Sequence, residues 1–162
     1  MKKLIVIISL LFGANQLRAQ ENHTNLHSGF FGEGIGVSLM LEQDLLHERG
    51  LDLYLRGGFS WLVFGYGIPH GISICKGEEN QIELGVSGIF SSTEEFLGSR
   101  AAKEYHLSPL LGYRSYMESR KAFFRIYLNP MLNISNSPRS YGLFNGNKLS
   151  FMAGISVGFK LR

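Results

Sequence analysis

The sequence has few of the features that stabilise small secreted domains. It contains one cysteine, Cys75, and four prolines. A single cysteine excludes an intrachain disulfide, so another source of stability is needed. The apolar-rich stretch 51–74 is interrupted by Asp52, Arg56 and His70 and cannot serve as the run of about 20 apolar residues that a membrane helix requires. A hydrogen-bonded sheet closed into a ring, which has no free edges, would supply stability without a disulfide or a membrane helix.

The N-terminus has the pattern of a cleavable leader. Lys2 and Lys3 precede an apolar core at 4–12, and Leu17-Arg18-Ala19 is a plausible cleavage site before Gln20. The apolar core is about half the length of a membrane span, which favours a secretory signal peptide over a retained amphipathic helix. We therefore expect residues 1–19 to be a signal peptide and residues 20–162 to form one domain.

Net charge gives no indication of a nucleic-acid partner. The whole chain carries 16 basic and 13 acidic residues, but Lys2, Lys3 and Arg18 belong to the leader. The remaining 143 residues contain 13 of each sign. The apparent basicity is a property of the leader, and we expect neither nucleic acid nor an anionic surface as an electrostatic partner.

The C-terminal segment alternates between two kinds of side chain. Successive residues of a strand point to opposite faces, so one face of this segment is apolar and the other is small or polar. The apolar face is roughly long enough to cross a bilayer as a tilted strand. The apolar set is Leu149, Phe151, Ala153, Ile155, Val157, Phe159 and Leu161, and the opposite set is Ser150, Met152, Gly154, Ser156, Gly158 and Lys160.

Six further segments alternate in the same way. They cover approximately residues 30–44, 51–61, 67–76, 82–87, 105–116 and 122–132. Bacterial single-chain barrels have an even number of strands, so an eighth strand is expected either before Phe30 or within 139–144. The sequence thus predicts an all-β fold, an antiparallel up-and-down transmembrane β-barrel of eight strands.

Loop lengths and aromatic positions orient this barrel. Short turns follow the first, third and fifth segments, whereas 91–104 and 133–148 are expected to be long loops. Short turns face the periplasm in such barrels and long loops face outward. Aromatic residues then fall into two belts, as interfacial anchoring requires. The outer belt is Phe59, Trp61, Phe64, Tyr66, Phe90 and Tyr105, and the inner belt is Tyr113, Phe123, Phe124 and Phe159.

Several motifs resemble those of small outer-membrane β-barrel proteins of the Bacteroidota. They are Leu111-Gly112-Tyr113-Arg114, Phe123-Phe124-Arg125-Ile126 and the glycine-alternating ending 154–159. The resemblance covers most of the chain after the leader. It implies the barrel fold and the outer membrane, and it implies no activity, because most members of that group are uncharacterised.

Charged residues on the inward faces form the best-defined candidate site. Unpaired charges inside a narrow barrel are costly, so acids and bases there are expected to pair as a salt-bridged plug in the periplasmic half. Arginine suits this role because its planar fork holds carboxylates in pairs of hydrogen bonds. The members are Glu42, Asp52, Arg56, Glu83, Arg114 and Arg125.

The outer half of the lumen is lined mainly by small residues and is a candidate pocket. The pocket would hold a small or lipidic ligand, unless loop residues such as Phe96 or Phe144 fill it. An eight-stranded interior is only wide enough for side chains, so we do not expect a general porin. The candidate pocket residues are Ser60, Ser73, His106, Ser108 and Asn129.

Catalytic and metal sites receive less support from the sequence. His106-Leu107-Ser108 resembles the His-x-Ser of outer-membrane lipid A deacylases, but no acid is convincingly placed to orient the histidine. Only His23 and His27 have helical ligand spacing, in a stretch expected to be disordered. We therefore expect no catalytic residues, no metal site and no cofactor.

The sequence predicts a small outer-membrane barrel with a structural or binding role through its external loops and upper lumen. Its expected partners are outer-membrane lipids, lipopolysaccharide and the outer-membrane assembly machinery, with an unknown extracellular ligand. Two alternatives remain at this stage: a lipid-modifying barrel enzyme, and a secreted soluble β-sandwich that binds lipid, whose strands would also alternate.

Overall fold

A computed structural model describes residues 23–31, 36–62, 65–93, 102–117, 121–134 and 149–161. The predicted signal peptide, 1–19, lies outside these residues. The described part consists of eight strands, because its alternating segments suit a pleated surface with one apolar face. They are β1 (Thr24–Phe30), β2 (Val37–Glu48), β3 (Leu51–Leu62), β4 (Gly65–Gly77), β5 (Asn80–Thr93), β6 (Ala102–Tyr116), β7 (Ala122–Asn133) and β8 (Leu149–Lys160).

The strands form one closed antiparallel barrel. Each strand pairs with its neighbour in sequence, and β1 pairs with β8 to close the ring, with Leu26 opposite Phe159. The predicted fold class is therefore confirmed, and the β-sandwich alternative is wrong, because a sandwich has two sheets with edges. In the described parts of the chain, no helix has the length and apolar character needed to cross a membrane.

The eighth strand lies before Gly32, in the first of the two predicted positions. Strand β1 covers Thr24–Phe30, so the predicted segment 30–44 merged the end of β1 with β2. The expectation of a disordered stretch around His23 and His27 is wrong for the same reason. The predicted loop 91–104 is shorter than expected, because β5 extends to Thr93 and β6 begins at Ala102. The other position considered, 139–144, lies outside the described residues.

The inward face of the barrel is mainly polar and the outward face is apolar, which is the reverse of a soluble protein. The exposed large apolar side chains are 37% to 80% accessible, whereas the charged residues Glu42, Glu83, Arg114 and Arg125 are fully buried. A soluble protein rarely exposes so large an apolar surface. The apolar face of every strand is thus turned outward, and the polar face fills the barrel.

Two kinds of connection define the two ends of the barrel. Strands β2 and β3 meet in a two-residue turn at Arg49 and Gly50, both with positive φ (50° and 73°), which suits the twist of a tight hairpin. The β4–β5 and β6–β7 connections lie at the same end, called the turn end here. The long connections β5–β6 and β7–β8 lie at the opposite end, called the loop end.

Glycines of β8 make room for large aromatic rings inside the barrel. Phe123 pairs with Gly158 and Tyr127 with Gly154 across the β7–β8 ladder. A Cβ at Gly158 would lie 2.3 Å from Phe123 Cζ, and one at Gly154 would lie 2.5 Å from the Tyr127 ring. Phe123 is completely buried, so its assignment to the outward aromatic belt is wrong. The glycine alternation of the last strand thus serves packing in the lumen.

Candidate functional site

Glu83 is at the centre of a buried charge layer near the turn end. It accepts two hydrogen bonds from Arg125, at 2.5 Å from Nε and 3.0 Å from Nη2. Arg56 also donates to Glu83, and Arg114 Nη2 lies 3.7 Å from its Oε2. One carboxylate from β5 therefore contacts three arginines, which come from β3, β6 and β7.

Glu42 forms the second anchor of this layer. Arg114 donates to both of its carboxylate oxygens, at 2.7 Å and 2.8 Å, in the paired geometry that suits a guanidinium. Asn25 Nδ2 donates to the same carboxylate at 3.0 Å. The pairing joins β1, β2 and β6 across the lumen.

Aromatic rings pack directly on these charges. The Arg114 guanidinium lies between the rings of Tyr54 and Phe123, at 4.7 Å and 4.5 Å from their centroids. Arg125 lies 4.4 Å from the Tyr127 ring in the same way. These contacts exclude water from the layer, which strengthens its ion pairs. The layer of charges and rings draws side chains from β1 to β7, and its members Glu42, Glu83, Arg114 and Arg125 are fully buried.

Asp52 lies nearer the turn end, among different partners. Its Oδ2 accepts hydrogen bonds from Gln81 Nε2 at 2.6 Å and from the Tyr54 hydroxyl at 3.3 Å. Its Oδ1 contacts His47 Nδ1. Asp52 is thus buried in the lower lumen, and its hydrogen bonds belong to a polar cluster between the charge layer and the turn end.

The five predicted pocket residues all face the lumen and are at most 3% exposed. Four of them, Ser60, His106, Ser108 and Asn129, lie in the half of the barrel nearer the loop end. Ser73 differs, because its hydroxyl accepts a hydrogen bond from Arg56 and so joins the charge layer. The candidate pocket therefore consists of the other four residues.

Side chains of the wall occupy part of this upper lumen. Ile89 and Met131 form a small buried apolar cluster, with Met152 packed against it. A Cβ at Gly67 would lie 2.7 Å from Ile89 Cδ1, so this glycine provides the space that Ile89 uses. The upper lumen is consequently more apolar than its serine and glycine lining predicts. The loop residues expected to fill it, Phe96 and Phe144, lie outside the described residues.

The ladder between β6 and β7 is interrupted beside this cluster. His106 pairs with Asn133 and Leu107 with Leu132, and the next pair along the ladder is Leu111 with Leu128. Continuing the register places Pro109 opposite Pro130, and neither proline has an N–H to donate. Ser108 Oγ donates to the Pro130 carbonyl at 3.0 Å and replaces part of the lost bonding.

A groove of about 540 Å³ lies over the interruption. Its walls include the outward-facing Leu128 and Phe151 and both prolines. They also include Leu110, which is only 3% exposed and faces the lumen, and the half-buried Met152. Most of the groove's lining therefore faces outward, and Leu110 and Met152 are the members of the lining that belong to the inward set.

Asn129 is a buried polar side chain next to Pro130, one of the residues that line this groove. It adjoins Pro130 in β7, pairs with Met152 of β8 and is 1% exposed. Among the residues that the structure describes, neither its amide nitrogen nor its amide oxygen has a hydrogen-bond partner. Such a buried amide costs about 1–3 kcal/mol when it is unsatisfied, which makes it a candidate ligand contact.

Comparisons with known proteins agree with this architecture. No family model and no curated protein matches the chain. Solved structures do match it, and two outer-membrane proteins are among them. The N-terminal β-barrel domain of Pseudomonas aeruginosa OprF matches with a TM-score of 0.55 and 12% identity, over 86% of this chain and 96% of that one. A major outer membrane protein from Thermus thermophilus matches with a TM-score of 0.52 and 14% identity, over 88% of this chain and all of that one.

The chain has the fold of a small outer-membrane β-barrel. Sequence identities this low carry the likeness no further than the fold.

Glu104, which alternation places on the same face as His106, contacts this histidine in the structure. Both side chains face the lumen, and Glu104 Oε2 lies 3.3 Å from His106 Nε2. The two residues are separated by one position on a strand, which turns both to the same face. Ser108 follows on that face, but its single hydroxyl proton is shared between the carbonyls of Pro109 and Pro130, each 3.0 Å from Oγ.

Proposed function

We propose that this protein resides in the outer membrane of a Gram-negative bacterium and binds a small lipidic molecule in its upper lumen. The ligand enters sideways from the membrane between β6 and β7, and the protein is not a general pore. Its external loops share this structural or binding role. Its partners are outer-membrane lipids, including lipopolysaccharide, and the outer-membrane assembly machinery, which inserts it. The Bacteroidota grouping remains a prediction from the sequence.

Membrane residence is supported by the outward face of the barrel. Aliphatic residues such as Leu84, Leu128 and Ile155 are about half exposed or more, in the middle of their strands. Aromatic residues such as Trp61 and Phe90 lie outward near the loop end, and Tyr113 and Phe159 near the turn end. An apolar band between two aromatic girdles matches the two interfaces of a bilayer.

The observation that carries the binding role is the unpartnered amide of Asn129 beside the interrupted ladder. An acyl chain has an apolar site in the groove and against Ile89 and Met131, while an ester or carboxyl oxygen accepts a hydrogen bond from the amide. The charge layer around Glu83 closes the lumen below this point. A molecule in the upper lumen therefore enters from the side or from the loop end and does not pass through.

The binding role is tested with a phospholipid probe. The purified barrel is titrated with palmitoyl-oleoyl phosphatidylethanolamine, and bound lipid is counted by native mass spectrometry. We expect one tightly held lipid per barrel and at least about tenfold weaker binding in Asn129→Leu, which corresponds to the loss of one hydrogen bond of about 1.4 kcal/mol.

Asn80→Leu is the matched control. Asn80 accepts hydrogen bonds from Tyr113 and Ser115 at the turn end, far from the upper lumen, so this variant should bind like the parent. The Pro109→Ala and Pro130→Ala double variant regains two backbone donors and should slow lipid uptake. Equal binding by the parent and Asn129→Leu would contradict the proposed role.

A lipid hydrolase is the second candidate function, favoured by the Glu104–His106 contact. In a hydrolase, Glu104 would orient His106 as general base for Ser108, as a carboxylate does in a catalytic triad. The same titration reports this activity as released fatty acid. Release that is lost in His106→Ala would support the enzyme, whereas lipid retained intact supports binding.

A further inference from the structure

A β-bulge brings three potential metal ligands together at the turn end of the lumen. The β2–β3 register shifts between Asp44 and Leu46, which changes the face on which the next residues of β2 lie. His47 is consequently opposite Asp52, and directly opposed residues share a face. Strict alternation would have placed His47 on the outward face, away from both carboxylates.

The ligand atoms of these residues already converge. One nitrogen or oxygen atom from each of Asp44, His47 and Asp52 lies within 4.8 Å of the other two. Donor atoms on a tetrahedral centre with bonds of about 2.0–2.2 Å are roughly 3.3–3.6 Å apart. Small side-chain rotations would therefore bring all three into one coordination sphere. Asp44 is already held by the backbone N–H of Leu46, which donates to its Oδ1 at 3.1 Å.

A cavity and a buried amide beside the cluster point independently to a ligand. The cavity has a volume of about 160 Å³ and is lined by the three residues together with His23 and Gln81. Gln81 is 3% exposed, and its Nε2 holds Asp52 Oδ2 at 2.6 Å. Its carbonyl oxygen Oε1 is buried and, within the described ranges, has no hydrogen-bond partner. A carboxylate oriented by a neighbouring amide is typical of a metal ligand.

We propose that Asp44, His47 and Asp52 bind one divalent transition-metal ion, with Zn²⁺ as the best fit. The set combines an imidazole nitrogen with carboxylate oxygens, which suits Zn²⁺ and its neighbours in the first transition row. Ca²⁺ and Mg²⁺ prefer oxygen ligands only. The ion would fasten the β2–β3 hairpin and leave a coordination position open towards the cavity. This site was not expected from the sequence, which indicated no metal.

Isothermal titration of the untagged, folded barrel with ZnCl₂ tests the site. We expect one Zn²⁺ per barrel and at least about tenfold weaker binding in both His47→Gln and Asp52→Asn. His47 is largely exposed, with 71% of its side chain accessible, so His47→Gln leaves the fold intact. His70→Gln is the matched control, because His70 lies on the outer surface near the loop end, next to Tyr105.

The folded state of each variant is checked by its migration on a detergent gel before boiling. Absence of saturable one-to-one Zn²⁺ uptake by the parent would overturn the proposal. Binding by both His47→Gln and Asp52→Asn that equals His70→Gln would overturn it as well. Equal affinity for Ca²⁺ and Zn²⁺ would contradict a role for the histidine nitrogen.

Discussion

Glu83→Gln should destabilise the barrel by about 3–5 kcal/mol, because it leaves buried arginines without their shared carboxylate. Glu83 is completely buried and contacts Arg56, Arg114 and Arg125. In the variant, Glu42 is the remaining carboxylate of the charge layer. Guanidinium unfolding of the purified protein, followed by the fluorescence of Trp61, the single tryptophan, measures the free energy of unfolding.

Two further variants make this result specific. Glu48→Gln removes an exposed carboxylate at the turn end and should change stability by less than about 0.5 kcal/mol. The double variant Glu83→Met with Arg125→Met removes one charge of each sign and should recover part of the loss, since replacing a buried pair costs less than breaking it. A Glu83→Gln variant as stable as Glu48→Gln would show that the layer does not hold the barrel together.

Leu128→Arg should destabilise the protein in phospholipid vesicles by about 2–4 kcal/mol, the cost of a cation near the bilayer midplane. Leu128 lies near the middle of β7 and is 56% exposed on the outward face. Arginine at so exposed a position would be harmless in water. The substitution therefore distinguishes a lipid-facing surface from a solvated one.

Position along the strand provides the control for Leu128→Arg. Leu51 is outward-facing at the first position of β3, next to the turn end, and Leu51→Arg should cost only about 0–1 kcal/mol. Leu128→Ala separates the loss of the leucine side chain from the introduction of charge. Equal effects of arginine at Leu128 and Leu51, measured by unfolding from vesicles, would contradict a membrane-spanning wall.

Alternation predicted most of the strands because it depends only on neighbouring residues. It placed β3, β4, β7 and β8 within two residues of their observed bounds. It failed at Phe30, where alternation runs on from β1 towards β2 without a clear turn signal. The assignment of Phe123 to an outward belt is a different error, because alternation with Arg125 and Tyr127 already places Phe123 on the inward face.

Pairing across the lumen could not be predicted in the same way. Alternation predicts which charged residues face inward. It does not predict that Glu42 pairs with Arg114, 72 residues away in sequence, because that pairing depends on the stagger of the closed ring. The Asp44–His47–Asp52 cluster depends on a bulge that the sequence pattern does not reveal. The alignment of Pro109 with Pro130 across β6 and β7 likewise requires the register, which alternation does not supply.

The central claim is that this chain is a closed barrel in the outer membrane, and heat-modifiability tests it most directly. The outer-membrane fraction is run on a detergent gel with and without boiling. We expect a band that migrates faster before boiling, because a closed barrel resists the detergent until it is heated. A protein found in the soluble fraction, with the same migration in both lanes, would contradict the account.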